Sequence, residues 1–314
     1  MAELNHFAIA AGMGATLGPR VAVHHGQIGS FEVAATLSAL LQRRKKYVDD
    51  LNPQDVLTKK YEKAVTRAFL SIRQDFSSDR VLADPALDAA FIRRCRDYGL
   101  EDTVFHLNLA LIGLRKHNKL KAKSKRSIVP EQWKYAVASE IAARVMFYRH
   151  GASVDTTLAH PELVKEFDKL AAGITPGFSS FEYRWAALNM RKKGSNVKLK
   201  ASVIDKLSWS DELLFNESNL PAEEGIYTLL EGDTHLFVAG TENIRESIGS
   251  QRRIAEVPLF QPELWQPNPD RLSWKYVPMP DTNSDYRFGV VRSLVGRWEP
   301  IFNIPRGREK KNAA

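Results

Sequence analysis

Along the first two-thirds of the chain, apolar residues return every three or four positions. Leu57, Tyr61, Val65, Phe69 and Ile72 form one such stripe, and Leu87, Phe91, Cys95 and Tyr98 form a second. Trp133, Val137, Ile141 and Val145 make a third; Leu163, Phe167 and Leu170 a fourth; Phe181, Trp185 and Leu188 a fifth. This step is the signature of amphipathic helices. Asp84-Pro85 and His160-Pro161 place a proline where a helix opens, a position that needs no amide hydrogen. An all-helical region over about residues 31–193 is expected, with the Gly, Ala and Val-rich first 30 residues ambiguous.

The texture changes near residue 194. KKGSNVKLKASVIDK is basic and punctuated by Gly and Ser, as a linker or helix edge would be. The short β-type runs IYTLLEG, THLFVAG and LSWKYVPMP follow, with Gly232-Asp233 as turn chemistry between the first two. Helical patterns occupy Thr241–Gln251 and about Tyr286–Trp298. Strand, strand, helix, strand, helix describes a small α/β unit. The fold class expected is therefore α+β: a helical domain over 1–195, a linker or lead-in segment over 196–220, a unit with a three-stranded sheet flanked by helices over 221–305, and a basic tail over 306–314.

Composition agrees with a globular chain: of 314 residues, 44% are hydrophobic and 26% charged, too apolar for a disordered chain. No run approaches the roughly 18 apolar residues of a membrane helix, and no basic region precedes the apolar N-terminal stretch, so neither membrane nor secretory signal is expected. The single cysteine, Cys95, rules out an intramolecular disulfide and a cysteine zinc cage. A cytoplasmic protein is the expectation. Net charge is +8, unevenly spread. Residues 1–195 hold 30 Lys+Arg against 20 Asp+Glu, a surplus of +10, while residues 196–314 hold 15 against 17, a balance of −2. A polyanion held by charge belongs on the N-terminal part.

Two glycine- or histidine-based motifs carry little. Gly12, Gly14 and Gly18 are spaced G-x-G-x-x-x-G, with no clear strand before them, so no dinucleotide loop is read there. The adjacent His24 and His25 point in different directions in either a strand or a helix and do not make a metal site. RKHNKLKAKSKR is different in kind. Arg115, Lys116, Lys119, Lys121, Lys123, Lys125 and Arg126 bring seven positive charges without one carboxylate. Such a run is often a solvated helix end, yet its self-repulsion is unfavourable without anions nearby. Arg43, Arg44, Lys45 and Lys46 form a second cluster. Both are candidate nucleic-acid contacts.

Residues 221–303 hold the sharpest signal. Gly225-Ile226-Tyr227 follows Pro221, and ten residues on stands Phe237-Val238-Ala239. Gly240-Thr241-Glu242-Asn243-Ile244-Arg245 comes next, Lys275-Tyr276-Val277-Pro278 stands in the place of a third strand, and Leu294-Val295 is followed by Pro300 and Asn303. Taken in order, these elements resemble the GIY-YIG nuclease family, over about a quarter of the chain. The resemblance implies water attack on a phosphodiester with one divalent metal. A tyrosine would move the proton, an arginine would steady the phosphate and a glutamate would hold the metal. Tyr227 matches the first tyrosine. Phe237 replaces the second and lacks its hydroxyl; Ser247 stands at the arginine position and Val291 at the glutamate position. Arg245, two residues before Ser247, lies about 200° around a helix from it. Asp285, Glu299, Arg252 or Arg253 are the groups that the tertiary structure could recruit instead.

The family positions are thus Tyr227, Phe237, Ser247, Val291 and Asn303, on a frame of Gly225, Ile226, Val238, Ala239 and Pro300. Loss of one electrostatic stabiliser costs about 10²–10³-fold in rate, so a nucleic-acid-binding protein with an inactive GIY-YIG-like domain is expected. DNA is the partner the family suggests, within a DNA-processing or defence assembly and with room for protein partners. An active endonuclease is the alternative, and Mg²⁺ or Mn²⁺ is expected only with it. A protein-interaction scaffold is the third reading.

Overall fold

The computed structural model describes residues 59–121, 123–125, 129, 131–192, 201–215, 218–259 and 268–304. It is a mixed structure of helices and one antiparallel sheet. The helices α1 (Lys59–Ile72), α2 (Ser78–Ala83), α3 (Pro85–Asp97) and α4 (Val104–Lys116) form the first group. The second holds α5 (Trp133–His150), α6 (Val154–Ala159), α7 (Pro161–Ile174) and α8 (Ser180–Lys192). Both proline signals open helices as the sequence predicts. Asp84 caps α3, its Oδ1 accepting from the Ala86 amide at 3.1 Å, and Pro85 follows. His160 caps α7, its Nδ1 accepting from the Glu162 amide at 3.2 Å, and Pro161 follows.

Most residues of the stripes named above enter two cores; Leu57 lies outside the described residues, and Trp133 joins neither. Val65, Phe69, Leu87, Phe91, Cys95 and Leu107 close a cluster among α1 to α4. Tyr98 is different: it ends α3 as its cap and stays 38% exposed. α5 is buried over the run Val137–Met146, because α7 and α8 pack against it on one side and the sheet meets it on another. A helix apolar around most of its circumference is one enclosed by neighbours. None of the helices among the described residues is long and apolar enough to cross a membrane.

The sheet has four strands, not the three expected, in the order β1-β4-β2-β3, with every neighbour antiparallel. The extra strand is β1 (Leu213–Leu214), which lies in the segment read as a linker and pairs with Ser273 and Trp274 of β4 (Leu272–Pro278). Two residues are too few to show alternation, so only the presence of β4 reveals it. The segment also holds a short helix, α9 (Ala201–Ile204). β2 (Gly225–Glu231) and β3 (Thr234–Thr241) form the hairpin, turning at Gly232 with φ 57°, a left-handed value natural to glycine. The helices α10 (Ile244–Gln251) and α11 (Ser284–Trp298) complete the order.

The two faces of the sheet meet different partners. Tyr227, Leu229, Phe237 and Trp274 join the cluster that contains Ile141, Phe167 and Leu188 of α5, α7 and α8. Ile226, Val238 and Val277 pack instead against Val290, Val291, Leu294 and Val295 of α11. β2 sits between β4 and β3 and has both faces covered, so its residues 225–230 are all buried.

Candidate functional site

The resemblance brings attention first to Tyr227. It lies opposite Ala239 on β3 and Tyr276 on β4, with no exposed surface. Its phenol oxygen accepts from Gln251 Nε2 at 2.6 Å, so α10 holds it from above the sheet. Its ring meets Phe237 edge-on, centroids 5.9 Å apart. Burial raises the phenol well above the usual tyrosine range, and the hydrogen bonds from Gln251 and Ser247 only partly oppose that. A phenol held this way stays protonated at neutral pH and is a poor base.

The other family positions follow the same pattern of structural use. Phe237 is 1% exposed and carries no polar group to satisfy. Ser247 lies on α10, where its hydroxyl shares a 2.5 Å hydrogen bond with Thr241. Arg245 donates from Nε to the Leu220 carbonyl at 2.7 Å, which ties α10 to the chain before β2. Val291 is 3% exposed on the α11 side of the sheet, below Gly240. Tyr227 and Val291 therefore stand on opposite faces, so one small site cannot use both. Of the groups considered for recruitment, Arg253 pairs with Glu256 at 3.7 Å, Asp285 is in the first turn of α11, and Glu299 ends that helix at φ 47°. Among the described residues no group of three His, Cys, Asp or Glu could hold a metal ion. With valine at the ligand position, the residues present do not fit a divalent cation at Tyr227.

The frame residues have visible reasons. A Cβ on Gly225 would overlap the Val277 carbonyl and come within 2.8 Å of Ile244 Cδ1, so only glycine lets β4 and α10 approach here. Asn303 is 3% exposed: its Oδ1 accepts from the Val238 amide at 2.8 Å and its Nδ2 donates to the Val238 carbonyl at 3.0 Å. Together with the Phe302 amide, which donates to the Leu236 carbonyl at 2.8 Å, it covers the outer edge of β3. Pro300, also buried, leads into this crossing, and Ala239 faces the helical core while Ile226 and Val238 face α11.

Sequence reasoning missed Glu140. This carboxylate sits in the middle of α5, 5% exposed, and its charge adds to the upward shift of the Tyr227 phenol. Its Oε1 accepts from the Ile304 amide at 2.7 Å. Arg144, one turn on, donates from Nε to the Ile301 carbonyl at 3.3 Å, and Tyr148 donates to the same carbonyl at 3.1 Å. One face of α5 thus holds residues 301–304. A charged residue within the apolar stretch VASEIAARV was the available signal.

The basic run separates into two halves. Arg115, the last-turn arginine of α4, reaches Asp79 and also Asp155, the latter at 3.1 Å, and is enclosed between them. Lys116 pairs with Asp155 at 3.0 Å, and Lys119 pairs with Glu62 of α1. Protein carboxylates supply the anions that these three charges require. Lys121, Lys123 and Lys125 are exposed and make no ion pair with a described carboxylate. Arg126 and the whole cluster Arg43, Arg44, Lys45 and Lys46 lie outside the described residues, as do Gly12 to Gly18, His24 and His25.

Comparison with models of known protein families, with curated proteins and with solved structures gives no match.

Proposed function

We propose that this chain is a nucleic-acid-binding protein whose GIY-YIG-like unit serves as a structural partner of the helices and does not cut. A separation carries this reading: the motif positions lie inside the molecule, while on its surface Lys121, Lys123 and Lys125 pair with no carboxylate among the described residues. The one motif hydroxyl that remains, on Tyr227, has no exposed surface and already accepts from Gln251. A phosphodiester would need that same phenol, an arginine and a metal-bearing carboxylate around one atom. Here the corresponding side chains are a buried tyrosine, a serine and a valine, the last across the sheet. The finer architecture, a helical domain over 1–195 followed by a GIY-YIG-like domain over 221–305, belongs to this proposal, as does DNA as the partner.

The binding half rests on the surplus of +10 over residues 1–195, since the field of such a surface attracts polyanions whatever their sequence. The test is paired. Supercoiled plasmid incubated with the full chain and Mg²⁺ or Mn²⁺ should remain supercoiled, while a mobility shift on the same DNA should appear at low salt and fade as salt rises. Tyr227→Phe should shift DNA as the wild type does. Metal-dependent nicking that vanishes in Tyr227→Phe would establish the endonuclease instead.

A further inference from the structure

The segment after α4 is fastened to the helical region just before its exposed lysines and at two of them. Before them, Lys119 is paired with Glu62. Among them, Arg73 donates through Nη2 to the Lys123 carbonyl, and the Lys125 amide donates to the Asp75 carbonyl at 2.8 Å. Arg73 is 6% exposed, and among the described carboxylates the one it pairs with is Asp75, 3.8 Å away. Burying a guanidinium with so distant an anion is costly, and what it secures here is the backbone of the basic run. The Lys125 ammonium lies 4.1 Å from the centre of the Phe76 ring, and Arg80 lies 5.0 Å from it. Arg80 is at the same time stacked 3.5 Å from the ring of Phe181. Lysine, phenylalanine, arginine and phenylalanine therefore form one continuous stack beneath the segment.

We infer that Lys121, Lys123 and Lys125 form a preset ledge for the sugar-phosphate backbone of a nucleic-acid duplex, with Arg73, Phe76 and Arg80 as its positioning residues. The inference rests on the nucleic-acid-binding function proposed above. The choice of duplex follows from the stack. Binding a single strand draws on open ring faces on which bases stack, and the rings of Phe76 and Phe181 beside the ledge already carry cations. What is left to offer is charge, and lysine contacts to phosphates position a duplex without reading its bases. Fixing the backbone of the segment beforehand removes part of the ordering cost of binding.

The experiment is a salt titration by fluorescence anisotropy, using the full chain with a labelled duplex and with one of its separated strands. The duplex should bind more tightly than the strand. Replacing Lys121, Lys123 and Lys125 by Gln together should flatten the log–log salt slope by roughly 2.7, about 0.9 for each phosphate contact. Phe76→Leu keeps every charge and most of the apolar bulk but removes the ring. It should weaken duplex binding about two- to fivefold, the range of an exposed cation–π contact, with the slope unchanged. A wild-type melting curve for Phe76→Leu shows that the fold is retained. Wild-type affinity in Phe76→Leu, an unchanged slope in the triple variant, or tighter binding to the strand would each overturn the ledge while leaving nucleic-acid binding in place. A wild-type chain that binds neither probe would overturn that function and the ledge together.

Discussion

Asp88 stands in the first turn of α3, where an acidic residue is ordinarily a favourable, solvated partner of the helix dipole. The structure turns it inward. Its Oδ1 is buried without a hydrogen-bond partner, and so is Oδ1 of Asn108 on α4. Arg184 of α8 is the nearby cation, yet its fork is committed to Asp168, with Nε at 3.0 Å and Nη2 at 2.6 Å. Burial accordingly pushes the Asp88 carboxyl up to about 7, against the partial opposition of Arg184 and Asn108; Cys95, on the same helix, is raised by burial and by Asp88. A folded pKa above the unfolded one means that the folded state holds the proton more tightly. The stability tied to that proton is complete below about pH 4 and is lost as pH rises through about 7. Asp88→Asn should remove this dependence and stabilise the protein by about 1–3 kcal/mol at pH 8. Thermal melts of both proteins between pH 5 and pH 8 check it; parallel curves would show that Asp88 is not the titrating group.

At the level of elements, the short β-type runs were enough to locate β2, β3 and β4, and the turn at Gly232 was written in the residues themselves. The observed strands Gly225–Glu231, Thr234–Thr241 and Leu272–Pro278 lie on the runs that the sequence marks, and α11 on the Tyr286–Trp298 pattern. The outer edge of β3 was not legible. Asn303 reads as the last letter of a motif, but its amide acts as a short piece of neighbouring strand for Val238. Asn303→Ala would leave a buried amide and carbonyl without partners, at a cost of about 2–3 kcal/mol. Urea unfolding should show that loss as a lower midpoint with an unchanged slope. A midpoint in Asn303→Ala equal to that of the wild type would assign the edge to Phe302 alone.

Over the whole molecule, the sheet is inserted between two apolar layers. Trp274, Tyr227 and Phe237 face α5, and the hydrogen bonds from Glu140, Arg144 and Tyr148 fasten residues 301–304 to the same helix. A fragment of residues 201–304 would expose that whole face. It should therefore lack a cooperative thermal transition and bind a hydrophobic dye, whereas the intact chain should unfold cooperatively. A fragment that melts cooperatively with a buried Trp274, read from its fluorescence, would show the sheet unit to be self-sufficient. Scale also changes the electrostatics. Seven charges on duplex phosphates would contribute a salt slope of roughly −6. Arg115, Lys116 and Lys119 are already compensated by Asp79, Asp155 and Glu62, and Arg126 lies outside the described residues, so the smaller slope is the one argued for the three exposed lysines.

Periodicity and local chemistry were sufficient wherever a property belongs to one segment: the helical stripes, the proline-opened helices, the hairpin, and the absence of arginine and glutamate side chains at positions 247 and 291. Those features arise from the repeat of a helix or strand and from the identity of a single side chain, which no distant contact can alter. Tertiary structure alone decided which groups meet. The pairing of Leu213 with Trp274, the anions around Arg115, and the placement of Tyr227 and Val291 on opposite faces all join residues far apart in the chain. Burial and Coulomb energy depend on distance in space, and along one strand the face a residue takes is set by a period of two, but which layer covers that face is set by the packing of the helices upon it.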